Sequence, residues 1–145
     1  MPHFTLGLTS EGPVIDLVVM ASQPRADALK SAGLPIPTPV ALRCLIDTGA
    51  SGTCFDAAAI APLGLSPTGT TPISTPSTGA VPHQCESYDV SVLFYHPDNS
   101  RYFGTLPVIA IDFSAQRIDG LIGRDILASC LFVYDGGAQS FAIAF

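Results

Sequence analysis

Short apolar or alternating runs, separated by turn-forming residues, dominate the chain and predict a mostly β structure. Near the N-terminus, HFTLGL and PVIDLVVM flank the turn-rich TSEGP, which predicts an N-terminal hairpin. The stretch VALRCLID hardly alternates, which is typical of a strand buried on both faces. The C-terminal LFVYDGGAQSFAIAF predicts a second hairpin that turns around Asp135, Gly136 and Gly137.

Helical signals are short and are marked by capping residues. Ser22 can cap a helix that ends by Gly33, and the alternating prolines of PIPTP then favour an extended chain. Asp56 can cap a helical turn within DAAAIAPLG, and RDILASC predicts one further helix. The pattern therefore predicts two or three short helices among many strands.

The middle of the chain begins as a Ser-, Thr-, Pro- and Gly-rich stretch and ends as the alternating strand QCESYDVSVLFYH. This change predicts a projecting hairpin with its tip near Ser77, Thr78 and Gly79, where Gly79 supplies a positive φ. After it, YFGTLPVIAI predicts a buried strand, DFSAQRIDG a loop and LIG a very short strand.

Length and composition limit the class of protein. A chain of 145 residues fits one domain, residues 1–145. Hydrophobic residues make up 48% and charged residues 12%, so the surface is poor in charge, and a subunit interface is one way to cover part of it. The net charge of −6 and the scattered basic residues exclude a basic stripe, and nucleic acid is not expected as a partner.

No apolar run approaches the roughly 20 residues that span a bilayer, so a membrane is not expected as a partner. The N-terminus lacks the basic start of an export signal, so a cytoplasmic location is expected. In the cytoplasm, Cys44, Cys54, Cys85 and Cys130 should be thiols. The pair His83 and Cys85 lacks the further ligands of a zinc site, so neither a metal nor another cofactor is expected.

Asp47, the acid at the end of the apolar run in CLIDTGAS, has two possible roles. Asp before Thr-Gly is common in simple turns. Hydrolysis by water without a metal or a covalent nucleophile, however, needs one group to take a proton and another to give one. Two carboxylates held close together can do this, because both cannot ionise at once and the pair keeps one proton.

The segments LIDTGAS and GLIGRDIL together resemble the two conserved segments of the retropepsin-like aspartic proteases, in their order and spacing along nearly the whole chain. The resemblance implies a retropepsin-like closed β-barrel of mostly β structure, with one or two short helices, that forms a homodimer. It also implies an aspartic endopeptidase that cleaves peptide or protein substrates.

The resemblance assigns roles to particular residues. Asp47 is the expected catalytic residue. Residues that support the active site are expected at Thr48, Gly49, Ala50, Ser51, Gly123 and Arg124. A flap that closes over the substrate is expected at Ser77, Thr78, Gly79, Ala80 and Val81, although it has one glycine at its tip instead of several.

The chain contains one Asp-Thr-Gly segment, so the second carboxylate has to come from elsewhere. Asp119 and Asp125 are candidates within the chain, but neither stands in a Thr-Gly turn. The expected solution is a symmetric homodimer in which Asp47 from each subunit meets at the two-fold axis. The alternative is a protease-like fold without catalysis, which acts as a dimerisation or peptide-binding module.

Within this scheme Thr48 would hydrogen-bond across the two-fold axis, and the Gly49 amide would donate to Asp47. Ala50 lacks the hydroxyl that pepsin-like members place there, which predicts a pH optimum nearer weakly acidic or neutral than that of pepsin. Ser51 stands where some retroviral members have an Asp, so substrate anchoring should differ. Arg124 is expected to be a structural tie at the start of a helix.

Overall fold

The computed structural model describes residues 2–75 and 79–145, and it is mostly β. Its ten strands are β1 His3–Gly7, β2 Val14–Ala21, β3 Val40–Ile46, β4 Cys54–Asp56, β5 Gly69–Ile73, β6 His83–Tyr95, β7 Ser100–Ile111, β8 Gly120–Ile122, β9 Leu131–Asp135 and β10 Ser140–Ala144. Its α-helices are α1 Gln23–Ser31, α2 Ala57–Ile60 and α3 Arg124–Leu127, and a 3₁₀ turn covers Ala61–Leu63.

Six strands close into a barrel. Their order is β2-β3-β8-β4-β7-β6, and β6 pairs back onto β2 to complete the ring. The β3–β8 and β4–β7 pairs are parallel, and the other four pairs are antiparallel. A closed sheet has no free edge, so the barrel itself exposes no unpaired strand. The predicted closed β-barrel is therefore confirmed.

The barrel encloses the main hydrophobic core. Its fully buried side chains include Leu17, Phe55, Val92, Phe94, Val108, Ile122 and Ile126. The strand β3 was expected to be buried on both faces, but Ala41 is exposed, and from Leu42 to Ile46 the positions alternate between buried and half-buried. The half-buried face of β3 carries Leu45, which packs against a second, smaller cluster that contains Cys54 and Phe113.

The prediction of an N-terminal hairpin around TSEGP is wrong. The turn itself forms, with a bridge between Thr9 and Gly12, but β1 and β2 enter different sheets. β1 pairs with β10 in a three-stranded sheet of order β1-β10-β9. Phe4 of β1 is buried and stacks on His96, with ring centroids 5.2 Å apart, so packing against distant aromatic rings decides where β1 lies.

The predicted helices are confirmed. The described residues form three α-helices, whereas the resemblance implied one or two. Ser22 Oγ accepts a hydrogen bond from Arg25 N and caps α1, and Gly33 follows the helix with φ 67°. Asp56 caps α2 by accepting from Ala59 N. The described helices include none that is long and apolar enough to cross a membrane.

The two other predicted hairpins are present. β9 and β10 pair around Asp135 to Ser140, and β5 pairs with the first part of β6 in the projecting hairpin. Gly79 has φ 65°, as the sequence predicted. Ser77 and Thr78, the rest of the predicted tip, lie outside the described residues.

Gly120 tests the packing of the barrel. A Cβ at this position would lie 2.5 Å from Cys54 O and 2.7 Å from Phe55 Cδ1. Gly120→Ala is therefore expected to lower the free energy of unfolding by about 1–3 kcal/mol, measured by chemical denaturation. Gly69→Ala in β5 is the control, since nothing lies within 4 Å of its Cβ position. Equal stability of the two variants would contradict this packing.

Candidate active site

Asp47 lies where β3 leaves the barrel. Its backbone N–H donates to Ile122 O of the neighbouring strand β8 at 3.0 Å, which fixes the start of the loop. The residue is half-buried, and its Oδ1 accepts the Gly49 N–H at 2.8 Å. Among the residues that the structure describes, Oδ2 has no donor. The carboxylate is thus held through Oδ1, and Oδ2 is open to a hydrogen-bond donor.

Gly49 has a steric reason to be a glycine. A Cβ on its backbone would lie 3.1 Å from Asp47 Oδ1, closer than most real Cβ contacts. The amide of Ala50 also donates to Asp47 O at 3.2 Å and closes the turn. The hydrogen bond that the sequence predicted from Gly49 to Asp47 is therefore present, and a Cβ on Gly49 would displace the carboxylate that accepts it by a few tenths of an ångström.

Arg124 joins the same loop to α3. Its guanidinium Nη1 donates to Thr48 O at 3.0 Å and to Gly49 O at 3.2 Å. Its backbone N–H donates to Ala50 O at 2.9 Å. These contacts fit the structural tie that was expected, because all three acceptors are backbone carbonyls of the loop that carries Asp47.

Gly123, directly before α3, packs closely against Gly52 of the loop that carries Asp47. A Cβ at this position would lie 2.5 Å from both Gly52 C and Gly52 O. Any larger residue would have to push the loop away from β8. The expectation that Gly123 packs tightly under the loop agrees with this contact.

Sequence reasoning missed the residue pair that anchors the end of the loop. Thr53 is buried, and its N–H and Oγ1–H both donate to the Asp125 carboxylate, at 2.9 Å and 2.7 Å. Thr53 Oγ1 in turn accepts the Gly123 N–H at 3.1 Å, and Asp125 Oδ1 also accepts the Ile126 N–H at 2.8 Å. The one available signal was an acid placed directly after Gly-Arg in the first turn of a helix.

The two acids considered as in-chain partners of Asp47 are engaged elsewhere. Asp125 accepts the three bonds just described. Asp119 Oδ2 accepts the Arg43 N–H at 2.9 Å, and the Asp119 backbone bonds Arg43 O and the Asp56 N–H, each at 2.7 Å. Asp119 is thus the loop residue before the LIG strand that the sequence suggested, and neither acid contacts Asp47.

Apolar side chains lie side by side in the sheet at the end of β3 that precedes Asp47. Side chains alternate along β3, and Leu45, two residues before Asp47, is on the half-buried face of the strand. Leu45 lies opposite Leu121 of β8, and Cys54 lies opposite both Leu121 and Ile109. These four residues belong to the second hydrophobic cluster. Apolar walls next to a carboxylate are suited to hold hydrophobic side chains of a ligand.

The four thiols are not paired with one another, and burial raises the pKa of each. All four cysteines are free, three of them buried and Cys130 half-buried. Burial raises the pKa of Cys54 to about 11, and the nearby Asp47 carboxylate adds to the rise. Burial also raises the pKa of Cys44. A thiol with such a pKa is a poor nucleophile near neutral pH.

The remaining expected site residues are on the surface of the single chain. Thr48 and Ser51 are exposed, on the outer side of the loop. Of the expected flap, Gly79, Ala80 and Val81 are exposed, and Val81 has 77% of its surface accessible. These residues do not meet Asp47 through any hydrogen bond in the described part of the chain.

No family model matches the sequence, and no curated protein matches it. The fold is similar to that of a retropepsin-like aspartic protease from Rickettsia conorii, known from a crystal structure. The similarity has a TM-score of 0.56 with 15% sequence identity, and it covers 98% of this chain and 89% of that chain. The chain thus has a retropepsin-like fold, which this comparison shows without showing an activity.

Thr53→Val tests the anchor of the loop. Valine has the same shape but removes the hydroxyl, so the buried Gly123 N–H loses its acceptor and Asp125 loses a donor. The free energy of unfolding is expected to fall by about 1–3 kcal/mol. The control is Thr105→Val, at an exposed strand position. If the two variants unfold at the same denaturant concentration, the anchor does not stabilise the fold.

Proposed function

We propose that the chain is a homodimeric aspartic endopeptidase, in which two copies of Asp47 activate water between them. The observation that carries the proposal is the state of the acids around the loop. Asp47 has one carboxylate oxygen without a donor among the described residues, whereas Asp119 and Asp125 are both engaged in structural hydrogen bonds. The missing second carboxylate then comes from a second subunit.

In this mechanism the two Asp47 carboxylates share one proton. Two carboxyl groups at hydrogen-bond distance cannot both ionise, so the proton belongs to the pair and not to either residue. The ionised carboxylate takes a proton from the attacking water, and the protonated one donates a hydrogen bond to the scissile carbonyl. Gly49 and Arg124 orient the loop, and no metal or other cofactor takes part.

The substrate in this proposal is a peptide or protein segment in an extended conformation. Leu45, Leu121 and Ile109 beside Asp47 favour hydrophobic side chains near the cleaved bond. Thr48 would reach across the two-fold axis, and Ser51 would face the substrate main chain. The hairpin tip that includes Gly79, Ala80 and Val81 would close over the substrate and exclude water.

Asp47→Asn tests the role of the carboxylate. The amide keeps the size of the side chain but cannot share a proton, so cleavage of an unfolded protein should fall at least about 100-fold. Circular dichroism and sedimentation should show an unchanged fold and an unchanged dimer. Asp16→Asn, at an exposed position of β2, is the matched control and should keep full activity.

A heterodimer tests whether two subunits form one site. Wild-type and Asp47→Asn chains carry different affinity tags, are expressed together, and the mixed dimer is purified through both tags. One intact carboxylate is insufficient in the proposed mechanism, so the mixed dimer should have almost no activity. About half of the wild-type activity would mean that each subunit acts alone.

The catalytically idle fold is the other outcome of these tests. It applies if the wild-type dimer cleaves no unfolded protein between acid and neutral pH. In that case a statin-type peptide analogue, a mimic of the tetrahedral intermediate, should also fail to protect the wild-type protein more than Asp47→Asn against thermal unfolding.

A further inference from the structure

A proline segment, residues 34–39, joins α1 to β3 on the outside of the barrel. It has the sequence LPIPTP, and each of its three prolines fixes its own φ and lacks a backbone donor. The Leu34 N–H donates to Leu29 O of α1 at 2.9 Å, and Val40, which follows the segment, pairs with Val19 of β2. The segment is therefore extended and held at both ends before any partner binds.

The proline segment covers one side of a cavity of about 400 Å³, which is within the range of ligand sites. Ile36 and Pro37 line it from the segment. Its other walls include Met20 of β2, Ala26 of α1 and Tyr102 of β7. None of the described residues that line it is charged, although the chain has a net charge of −6. Because an unpaired charge is costly to desolvate, the cavity suits an uncharged group.

The polar atoms at this cavity are mainly hydrogen-bond acceptors. The backbone of residues 35–38 makes no hydrogen bond within the described part of the chain, so its carbonyl oxygens are open to a donor. The Tyr102 hydroxyl donates to Gln23 Oε1 at 2.7 Å. The Ser91 hydroxyl donates to Ala21 O at 2.8 Å. Both hydroxyl hydrogens are thus used inside the protein, and a ligand that fits here brings its own donor.

Further apolar side chains continue this surface beyond the cavity. Leu34 is 55% exposed at the start of the proline segment and is not part of the cavity wall. Tyr95 is exposed and lies diagonally across from Tyr102 on the paired strands β6 and β7, within reach of its ring. A small molecule held in the cavity leaves these side chains uncovered, whereas a segment of another protein covers them.

From the apolar uncharged cavity, the open carbonyls and the surrounding exposed side chains, we propose that the proline segment binds an aromatic side chain, Trp or Tyr, of a partner protein. The ring packs on Ile36 and Pro37, since proline-rich segments are recognised by aromatic side chains. Its indole N–H or phenol O–H donates to a carbonyl of the segment. Because the segment is already extended, little ordering entropy is lost on binding.

The proposed site is separate from Asp47. The proline segment precedes β3 and Asp47 follows it, and the seven residues of this strand separate the two by roughly 20 Å. The proposal therefore goes beyond the proposed function and does not rest on it.

Titration of the full chain with N-acetyl-tryptophanamide, an uncharged indole, tests the site. Chemical shifts of Ile36 and Tyr102 should change, with a dissociation constant on the order of 1 mM. The same probe with a methylated indole nitrogen cannot donate a hydrogen bond and should bind at least about 5-fold more weakly. Equal binding of the two probes, or binding of neither, would overturn the proposal.

Ile36→Lys places a charge at the wall of the cavity and should raise the dissociation constant of the indole probe at least about 10-fold. Leu34→Lys is the matched control, because it lies in the same segment but outside the cavity wall, and it should leave the constant unchanged. The two side chains are 50% and 55% exposed, so both lysines reach solvent, and circular dichroism checks the fold. Equal binding by the two variants would contradict the site.

Filling the cavity gives a test that does not depend on charge. Ala26→Phe places a ring in the cavity and should abolish binding of the indole probe. Ala28→Phe, at an exposed position of α1 outside the cavity wall, should bind it as the wild type does. A folded Ala26→Phe chain that still binds the probe would place the binding elsewhere and overturn the proposal.

A peptide separates a protein partner from a free aromatic molecule. Acetyl-Leu-Trp-Leu-amide carries apolar side chains on both sides of the indole and should bind at least about 10-fold more tightly than N-acetyl-tryptophanamide. Leu34→Lys should reduce this gain, although it leaves the single-residue probe unaffected. A peptide that binds no more tightly than the single residue overturns the assignment to a protein partner.

The outcomes also separate this site from the proposed catalysis. Asp47→Asn should bind the indole probe as the wild type does, and Ile36→Lys should cleave an unfolded protein as the wild type does. A folded Asp47→Asn chain that loses the probe would contradict a site on this face of the barrel. A wild-type chain that binds the probe but cleaves no protein overturns the catalysis and supports the site.

Discussion

The position of the Asp47 carboxylate depends on the hydrogen bonds that hold its short loop. The loop leaves β3 at Asp47 and returns into β4 at Cys54, and between these points its carbonyls are held by Arg124 and its end is held by Asp125 through Thr53. Gly123 allows the two segments to touch. Without these hydrogen bonds the Asp47 loop would be an ordinary surface turn, and its carboxylate would have no fixed position.

The barrel supplies the rigid support for this arrangement. β3 and β8 are parallel neighbours, so the ends of both strands emerge at the same place, and the Asp47 N–H bonds directly to Ile122 of β8. A closed ring of strands resists the sliding of one strand past another. Within the described residues, the strand edges that this closure leaves unpaired lie in the projecting hairpin and in the sheet of β1, β10 and β9.

Local signals in the sequence were enough for the features that short stretches decide. Ser22 and Asp56 cap their helices through residues three positions away, and Gly79 takes the positive φ that its turn requires. The place of β1 was not predictable in this way, because the turn after it forms and yet Phe4 packs against the distant rings of His96 and Phe145. Asp47 stands in a motif that is visible in the sequence, whereas the role of Asp125 depends on Thr53, 72 residues away.

The most direct test of the account is a crystal structure of the dimer with a statin-type peptide analogue bound. If the two Asp47 carboxylates form one catalytic pair, they lie at the two-fold axis with oxygen atoms about 3 Å apart, both in contact with the hydroxyl of the analogue. Two Asp47 carboxylates that lie far apart in every assembly of the crystal would contradict it.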